Sequence, residues 1–207
     1  MKAEATKKNV VRSPGRPRDE KREAAILEET LKLLGEVGFA GLTVDAVVAR
    51  ARASKATIYR RWATKEELAI AAFDLLPMIE VPDTGNLEDD VIQYLDQYGN
   101  FVRTTPLRSV LPALVSEAMH NPELAAKLRV TVEARRASGV EMVRQAIERG
   151  ELPPSTDAGQ AQELFIAPML HRSFFAPENL SQRDFRAMAR VIIAGLKAVG
   201  EATSTPA

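Results

Sequence analysis

Two residue types that carry much of enzyme chemistry are scarce in this 207-residue chain. It has no cysteine, and its two histidines stand at positions 120 and 171. The lack of cysteine excludes disulfides, thiolate metal sites and thiol nucleophiles. Neither histidine has a partner at metal-motif spacing, and no glycine-rich phosphate loop follows a strand. We expect no metal site and no cofactor, and an enzyme, the main alternative from another class, is disfavoured.

Long apolar runs are also lacking. The N-terminal residues MKAEATKKNVVRSPGRPRDEK contain no apolar signal-peptide core. No window approaches the roughly 18 to 20 apolar residues that a membrane span needs. We therefore expect a cytoplasmic protein that does not enter a membrane. Hydrophobic residues make up 45% of the chain, enough for a buried core without disulfides.

The formal net charge of zero hides two oppositely charged parts. Residues 1–65 hold 15 Lys and Arg against 8 Asp and Glu, a net charge of +7, and the remainder holds 13 against 20, a net charge of −7. A basic head on an acidic body is typical of nucleic-acid binding. The alternative is a chance gradient with a solvated basic tail, so motifs must decide.

Local patterns predict helices and no strands. Residues 1–18 are polar and basic, with two prolines and a glycine, which is typical of a disordered arm. From residue 19, apolar residues recur at steps of three and four, and no alternating or repeated pattern occurs. With their capping residues, the predicted helices span 19–37, 43–51, 54–62, 64–76, 87–104, 107–120, 122–149, 157–175 and 181–200. The fold class is therefore all-α, with a linker where Pro77, Pro82 and Gly85 interrupt the pattern.

Residues 43–62 have the features of a helix-turn-helix. Two short helices are joined by a tight turn, and the second carries polar and basic side chains at its start. Val47, Val48 and Ile58 occupy positions that pack the pair together. This leaves Lys55, Thr57, Tyr59, Arg60 and Arg61 available outside. The alternative is an ordinary helical hairpin whose cations are solvated.

The segment LTVDAVVARARASKATIYRRWATKEELAIAAF, residues 42–73, resembles the DNA-binding domain of the TetR family of regulators. Seven positions match the family pattern in register: Thr43, Ser54, Lys55, Thr57, Tyr59, Trp62 and Lys65. The resemblance implies a three-helix helix-turn-helix DNA-binding domain at 19–76 and a helical ligand-binding and dimerisation domain at 77–207. It also implies that the protein is not an enzyme but a regulator that binds double-stranded operator DNA.

The resemblance also assigns the DNA contacts. It implies phosphate contacts by Thr43, Tyr59 and Lys65, and base or phosphate contacts by Lys55 and Thr57. Phosphate contacts fix the register, and groove-edge contacts distinguish sequence. We add neighbouring polar and basic residues, so the predicted set is Thr43, Arg52, Ser54, Lys55, Thr57, Tyr59, Arg60 and Lys65, with Arg16 and Arg18 from the arm.

The sequence departs from the family pattern in the turn. Arg52 replaces a common glycine, and Val48 replaces a common alanine. If the turn needs a positive φ at residue 52, the arginine is strained by roughly 1 kcal/mol, which a phosphate contact could offset. In the arm, Gly15-Arg16-Pro17-Arg18 could enter a narrow minor groove or attract phosphates non-specifically, and the latter is favoured.

The C-terminal helices carry apolar stripes. The last helix carries the stripe Phe185, Met188, Ile192, Leu196 and Val199, and the helix before it carries a second stripe of Leu164, Phe165, Met169 and Leu170. The predicted interface residues are Leu164 and the five residues of the last helix. The family resemblance implies a four-helix homodimer interface built from such stripes. The alternative is that both stripes face the chain's own core.

A ligand cavity is implied by the resemblance. Its candidate lining residues are aromatic, soft or hydrogen-bonding: Tyr98, Phe101, Met119, His120, Met142, Phe165, Met169 and His171. They suit a small apolar or aromatic ligand, although the same residues could be plain core. The predicted function is a repressor released from a near-palindromic operator by that ligand. The alternative is a regulator without small-molecule input or one controlled by a protein partner.

Overall fold

The computed structural model describes residues 16–175 and 181–203, with side chains described at 19–175 and 181–200. These ranges form nine helices and contain no strand, which confirms the all-α class. The helices are α1 Arg16–Gly41, α2 Val44–Ala51, α3 Lys55–Tyr59, α4 Lys65–Asp74, α5 Leu87–Thr104, α6 Leu107–Ala118, α7 Pro122–Glu148, α8 Ala158–Phe175 and α9 Gln182–Thr203.

The first helix begins three residues before its predicted start. Pro17 lies in its first turn, where the missing N–H removes no helical hydrogen bond. The backbone of residues 16–18 is therefore helical and not part of an extended arm, and residues 1–15 lie outside the described residues. Near its other end, Gly38 has a φ of 69° and interrupts the helical geometry at the predicted stop.

The N-terminal helices enclose one core. α1 packs against α2 and α4, and α2 packs against α3. Ile26, Leu34, Val47, Ile58 and Leu68 are each at most 1% exposed there. Full burial of such a side chain contributes about 1.5–3 kcal/mol, so these contacts hold the short α2 and α3, which are too short to be stable alone.

The C-terminal helices continue directly from this unit. α5 packs against α7, α8 and α9, while α1 rests on α6 and α4 rests on α7. Two polar contacts join the start of α4 to α7: Asn121 Nδ2 donates to Glu66 Oε1 at 3.0 Å, and Lys127 Nζ lies 3.2 Å from Glu67 Oε1. The position of α4 is thus defined by both parts of the chain.

The segment between α4 and α5 is anchored by a buried carboxylate. Asp90 is fully buried and accepts hydrogen bonds from Thr84 N at 2.6 Å and from Arg149 Nη2 at 3.0 Å. A buried carboxylate needs such partners, because an unpaired charge in the interior is costly. These two hydrogen bonds therefore hold the segment between α4 and α5 against the end of α7. None of the helices at 16–175 and 181–203 combines the length and the apolar composition of a membrane span.

Candidate functional site

Side-chain caps define the two helices of the predicted helix-turn-helix. Thr43 Oγ1 accepts a hydrogen bond from Ala46 N at 3.2 Å, at the start of α2. Ser54 Oγ accepts one from Thr57 N at 3.1 Å, at the start of α3. Each cap satisfies one of the free N–H groups of a helix start, which is typically worth about 1 kcal/mol. Thr43 and Ser54 therefore position the two helices and are also exposed.

The start of α4 has a modified capping box. Thr64 Oγ1 accepts from Glu67 N at 3.2 Å, as a capping box requires. Glu67 Oε2 reaches back one residue further than usual, to Ala63 N at 2.8 Å. The hydrogen bond from Ala63 N is the largest cause that lowers the pKa of the Glu67 carboxyl.

The turn between α2 and α3 places Arg52 in a backbone conformation that is unfavourable for a residue with a side chain. Arg52 adopts φ 49° and ψ 42°, the left-handed region, and its N–H donates to Val48 O. An arginine there is strained by roughly 1–2 kcal/mol relative to the helical region, whereas glycine is not. The turn thus has the positive φ that the glycine common at this position in the family adopts without strain. Val48 is half-buried and packs against the core.

The second helix of the motif is shorter than predicted. α3 ends at Tyr59, and the chain continues as a turn in which Arg61 N and Trp62 N both donate to Ile58 O at 2.9 Å. Ile58 and Trp62 are buried, so this end of the motif is fastened to the core. Tyr59 is 52% exposed and lies with the other polar side chains on the outer face.

Most of the predicted DNA-contacting residues lie on the surface. Thr43, Arg52, Ser54, Lys55, Tyr59 and Arg60 are exposed. Lys65 is half-buried, and its Nζ donates to Phe39 O at 3.1 Å and stands 4.2 Å from the centre of the Phe39 ring. Arg16 and Arg18 were predicted contacts whose side chains lie outside the described residues.

Two predictions for this motif need correction. Thr57 is only 9% exposed, and its hydroxyl lies 2.8 Å from Ser54 Oγ, so it offers little surface to a base. Arg61 is not free outside, because it forms ion pairs with Asp19 at 2.5 Å and Glu23 at 3.1 Å of α1. The hydrogen bond from Arg61 lowers the pKa of the Asp19 carboxyl.

A cavity of about 250 Å³ lies beside the end of α4. Its walls come from α4, the following segment and helices α5 to α8. The lining residues are Phe73, Pro77, Met78, Ile79, Tyr94, Tyr98, Phe101, Leu107, Leu111, Val132, Arg135, Arg136, Gln162, Glu163, Ile166 and Leu170. Tyr98 and Phe101 were predicted lining residues. Burial raises the pKa of the Tyr98 phenol, so this group is a neutral hydrogen-bonding group in the wall.

The other six predicted lining residues do not line this cavity. Met142, Phe165 and Met169 are buried in the helical core. Met119, His120 and His171 are exposed. Helical periodicity identifies a buried face, but it does not show whether the opposite helix leaves a gap.

The predicted dimer stripe is divided between core and surface. Phe185 is 3% exposed and lies against Gly99 of α5, so it belongs to the chain's own core and was wrongly predicted as an interface residue. Met188, Ile192 and Leu196 are half-buried. Leu164 and Val199 are exposed. The apolar Phe175 and Val191, which were not predicted as interface residues, are exposed too.

Comparisons with known proteins give the same assignment over most of the chain. A family model described as "Bacterial regulatory proteins, tetR family" matches residues 26–72. A second, described as "Tetracyclin repressor-like, C-terminal domain", matches residues 81–192. Together they span the helix-turn-helix and most of the helices that follow it.

Relatives and a solved structure match over most of their own length and over at least three quarters of this chain. An uncharacterized HTH-type transcriptional regulator of Mycobacterium bovis is 35% identical over 175 residues, covering 83% of this chain and 86% of the relative. The DNA-binding transcriptional repressor TetR of Mycobacteroides abscessus is 32% identical over 159 residues, covering 75% and 83%. Salmonella enterica GusR has a TM-score of 0.70 at 22% identity, covering 92% of this chain and 100% of that chain, which shows a common fold.

Proposed function

Because this chain belongs to the TetR family of bacterial transcriptional regulators, we propose that it is a repressor that binds a near-palindromic operator as a homodimer. Proteins of this family are regulators and not enzymes, and they bind operator DNA as dimers. The repressor role has support from a 32% identical relative that is named a transcriptional repressor. Since the proposed target is DNA in a bacterial cell, we propose that it acts in the cytoplasm.

The surface of the helix-turn-helix carries the proposal. Arg52, Lys55, Tyr59 and Arg60 are exposed around α3, at or beside the positions that match the family pattern. We propose that Lys55 faces base edges and that Thr43, Tyr59 and Lys65 position the phosphate backbone. The corresponding domains would be a basic arm preceding α1, a DNA-binding domain ending near residue 76, and a ligand-binding and dimerisation domain beyond it.

Selection of DNA fragments from a random pool tests this proposal. A two-fold dimer places two recognition helices about 34–36 Å apart, so the selected site should be a near-palindrome with half-sites about 10 base pairs apart or a multiple of that. Lys55→Ala should change the preferred bases, whereas Lys197→Ala, on α9, should not. Selection without sequence preference or symmetry would contradict the proposal.

The exposed apolar side chains of α8 and α9 support dimerisation. Leu164, Phe175 and Val191 are 51%, 79% and 74% exposed, and half-buried Ile192 lies beside Val191. Such a surface suits an isologous helix-packing interface. Ile192→Asp would bury an unpaired charge in it and should produce monomers in light scattering, with operator affinity lost in parallel. Val130→Asp, at an exposed residue of α7, should stay dimeric; a dimeric Ile192→Asp would contradict this interface.

The cavity supports release by a small apolar ligand. Its volume of about 250 Å³ lies just below the range of about 300–1,000 Å³ common for drug-sized ligands, which suits a small molecule. Its wall includes Phe73 of α4, so a bound molecule would touch the helix that follows the DNA-binding motif. A ligand that binds only the folded protein should raise its melting temperature and should weaken operator binding.

A further inference from the structure

One cation of the cavity wall holds the end of α4. Arg135 of α7 donates from Nη2 to Phe73 O at 2.8 Å and to Leu76 O at 3.0 Å, and from Nη1 to Pro77 O at 3.2 Å. Its guanidinium carbon also stands 4.9 Å from the centre of the Phe73 ring. These carbonyls terminate α4 and begin the next segment, where the negative end of the helix dipole attracts a cation.

The same guanidinium has no carboxylate partner. Among the described side chains, no Asp or Glu lies within ion-pair distance of Arg135, and its buried Nε has no hydrogen-bond partner. Its neighbour Arg136 differs, because it contacts Glu133 at 2.9 Å and Glu163 at 2.8 Å. Desolvation lowers the pKa of Arg135, while the charge of Asp74 acts in the opposite direction. The cavity wall therefore contains one cation whose hydrogen bonds all go to backbone carbonyls and which has no ion-pair partner among the described side chains.

The rest of the wall defines the other part of a matching ligand. Apolar side chains dominate it, including Phe101, Leu111, Ile166 and Leu170. The charges of Arg136 and Glu163 in the wall already neutralise each other, because the two side chains form an ion pair. A molecule that fills this space needs an apolar body, and one negative charge would compensate Arg135.

We propose that the cavity binds a small amphipathic carboxylate, whose negative group pairs with Arg135 in competition with the carbonyls at the end of α4. This inference rests on the proposed ligand-responsive function and adds the chemical class of the ligand. A monoanion fits because one guanidinium of the wall has no ion-pair partner among the described side chains. Pairing would draw Arg135 away from Phe73 O, Leu76 O and Pro77 O and loosen the end of α4.

The fold connects that end to the DNA-binding motif over a short distance. α4 has 10 residues, so its ends are about 15 Å apart. Its first residue, Lys65, contacts Phe39 O of α1, and Glu66 and Glu67 contact α7. A displacement at the last turn of α4 would therefore move the first turn of the same helix, which contacts both α1 and α7.

Matched acids and alcohols test the inference on the full chain. The probes are straight-chain and phenyl-substituted carboxylic acids of about 6 to 12 carbon atoms, each paired with the primary alcohol of the same carbon skeleton. Calorimetry measures affinity, and thermal unfolding measures stabilisation. At least one acid should bind about 10-fold to 100-fold more tightly than its alcohol, as a charged hydrogen bond predicts. The same acid should lower operator affinity.

Variants assign the effect to Arg135. Arg135→Met should abolish the preference for the acid, whereas Arg144→Met, which removes an exposed cation of the same helix, should retain it. Arg135→Lys keeps the charge but not the bonds to three carbonyls, so it should retain part of the preference. If Arg135→Met does not fold, the proposal is tested by the acid preference of the natural sequence and by its partial loss in Arg135→Lys.

The outcomes separate this inference from the proposed function. Equal affinity for acid and alcohol, or an acid preference that persists in folded Arg135→Met, would overturn the carboxylate while leaving the apolar cavity ligand intact. Binding of no acid in the panel would also overturn it. Operator binding is measured first without any probe, and its absence would instead contradict the proposed regulator.

Discussion

Lys65 combines a structural contact with a proposed DNA contact, and its replacement by alanine separates the two. Its Nζ donates to Phe39 O at 3.1 Å and lies 4.2 Å from the centre of the Phe39 ring. Phe39 directly follows the kink at Gly38, so Lys65 ties the start of α4 to the end of α1. Lys65→Ala should therefore reduce both stability and DNA affinity.

The two losses have different sizes. A hydrogen bond to a charged group contributes about 1.5–3 kcal/mol, and a cation over an aromatic ring about 0.5–1 kcal/mol at exposed sites. Because Lys65 is half-buried, we expect a total loss of about 1–2 kcal/mol in the free energy of unfolding. Because the operator-bound dimer loses one phosphate contact per subunit, the salt slope should fall by about 1.8, so the variant loses about 12-fold less affinity than the natural sequence between about 50 and 200 mM salt.

Denaturant unfolding and fluorescence anisotropy over a salt series measure these losses. Lys197→Ala, at an exposed residue of α9, removes the same charge far from the motif and should leave both the stability and the salt slope nearly unchanged. A folded Lys65→Ala with an unchanged slope would refute the phosphate contact. Unchanged stability would refute the contribution of the Phe39 contacts.

Three further predictions concern buried or paired groups. Thr57→Val should cost about 1 kcal/mol of stability but leave the selected operator bases unchanged, because Thr57 is buried; a changed base preference would restore it as a base contact. Asp45→Asn releases Lys55, now 2.7 Å away, and should strengthen DNA binding and steepen its salt dependence in anisotropy measurements, which equal curves would contradict. Arg149→Met leaves Asp90 buried without a cation and should cost about 3–5 kcal/mol in denaturant unfolding, whereas a loss below about 1 kcal/mol would show that Thr84 alone satisfies it.

Helix boundaries were predictable where a residue with a strong local preference marks them. α5 spans the predicted 87–104 because Asn86 caps its start and Pro106 follows its end, and α7 begins after Asn121 as predicted. The start of α1 was wrong because Pro17 was interpreted as part of an extended arm, although a first helical turn also accepts proline. Local chemistry does not distinguish these two uses.

The site was predictable where exposure follows from helical period and not where it depends on distant partners. The helical period of the sequence predicted that Tyr59 is exposed and Ile58 is buried, as the structure shows. It placed Arg61 outside too, because the carboxylates that hold it come from α1, about 40 residues earlier in the chain. Arg135 has no local signal at all, since its importance arises from carbonyls at the end of α4 and from the lack of an ion-pair partner among the described side chains.

Net charge overstates the number of cations that can contact DNA directly. Residues 19–65 hold 9 Lys and Arg against 7 Asp and Glu, a net charge of +2, so five of the seven excess charges of residues 1–65 belong to residues 1–18. Within the described part, Arg50 forms two hydrogen bonds with Glu36, Arg61 pairs with Asp19, and Lys55 pairs with Asp45. Phosphate binding by Lys55 must therefore replace an existing ion pair, which reduces its net gain. It follows that non-specific DNA attraction should depend mainly on residues 1–18, whereas sequence preference should depend on α3.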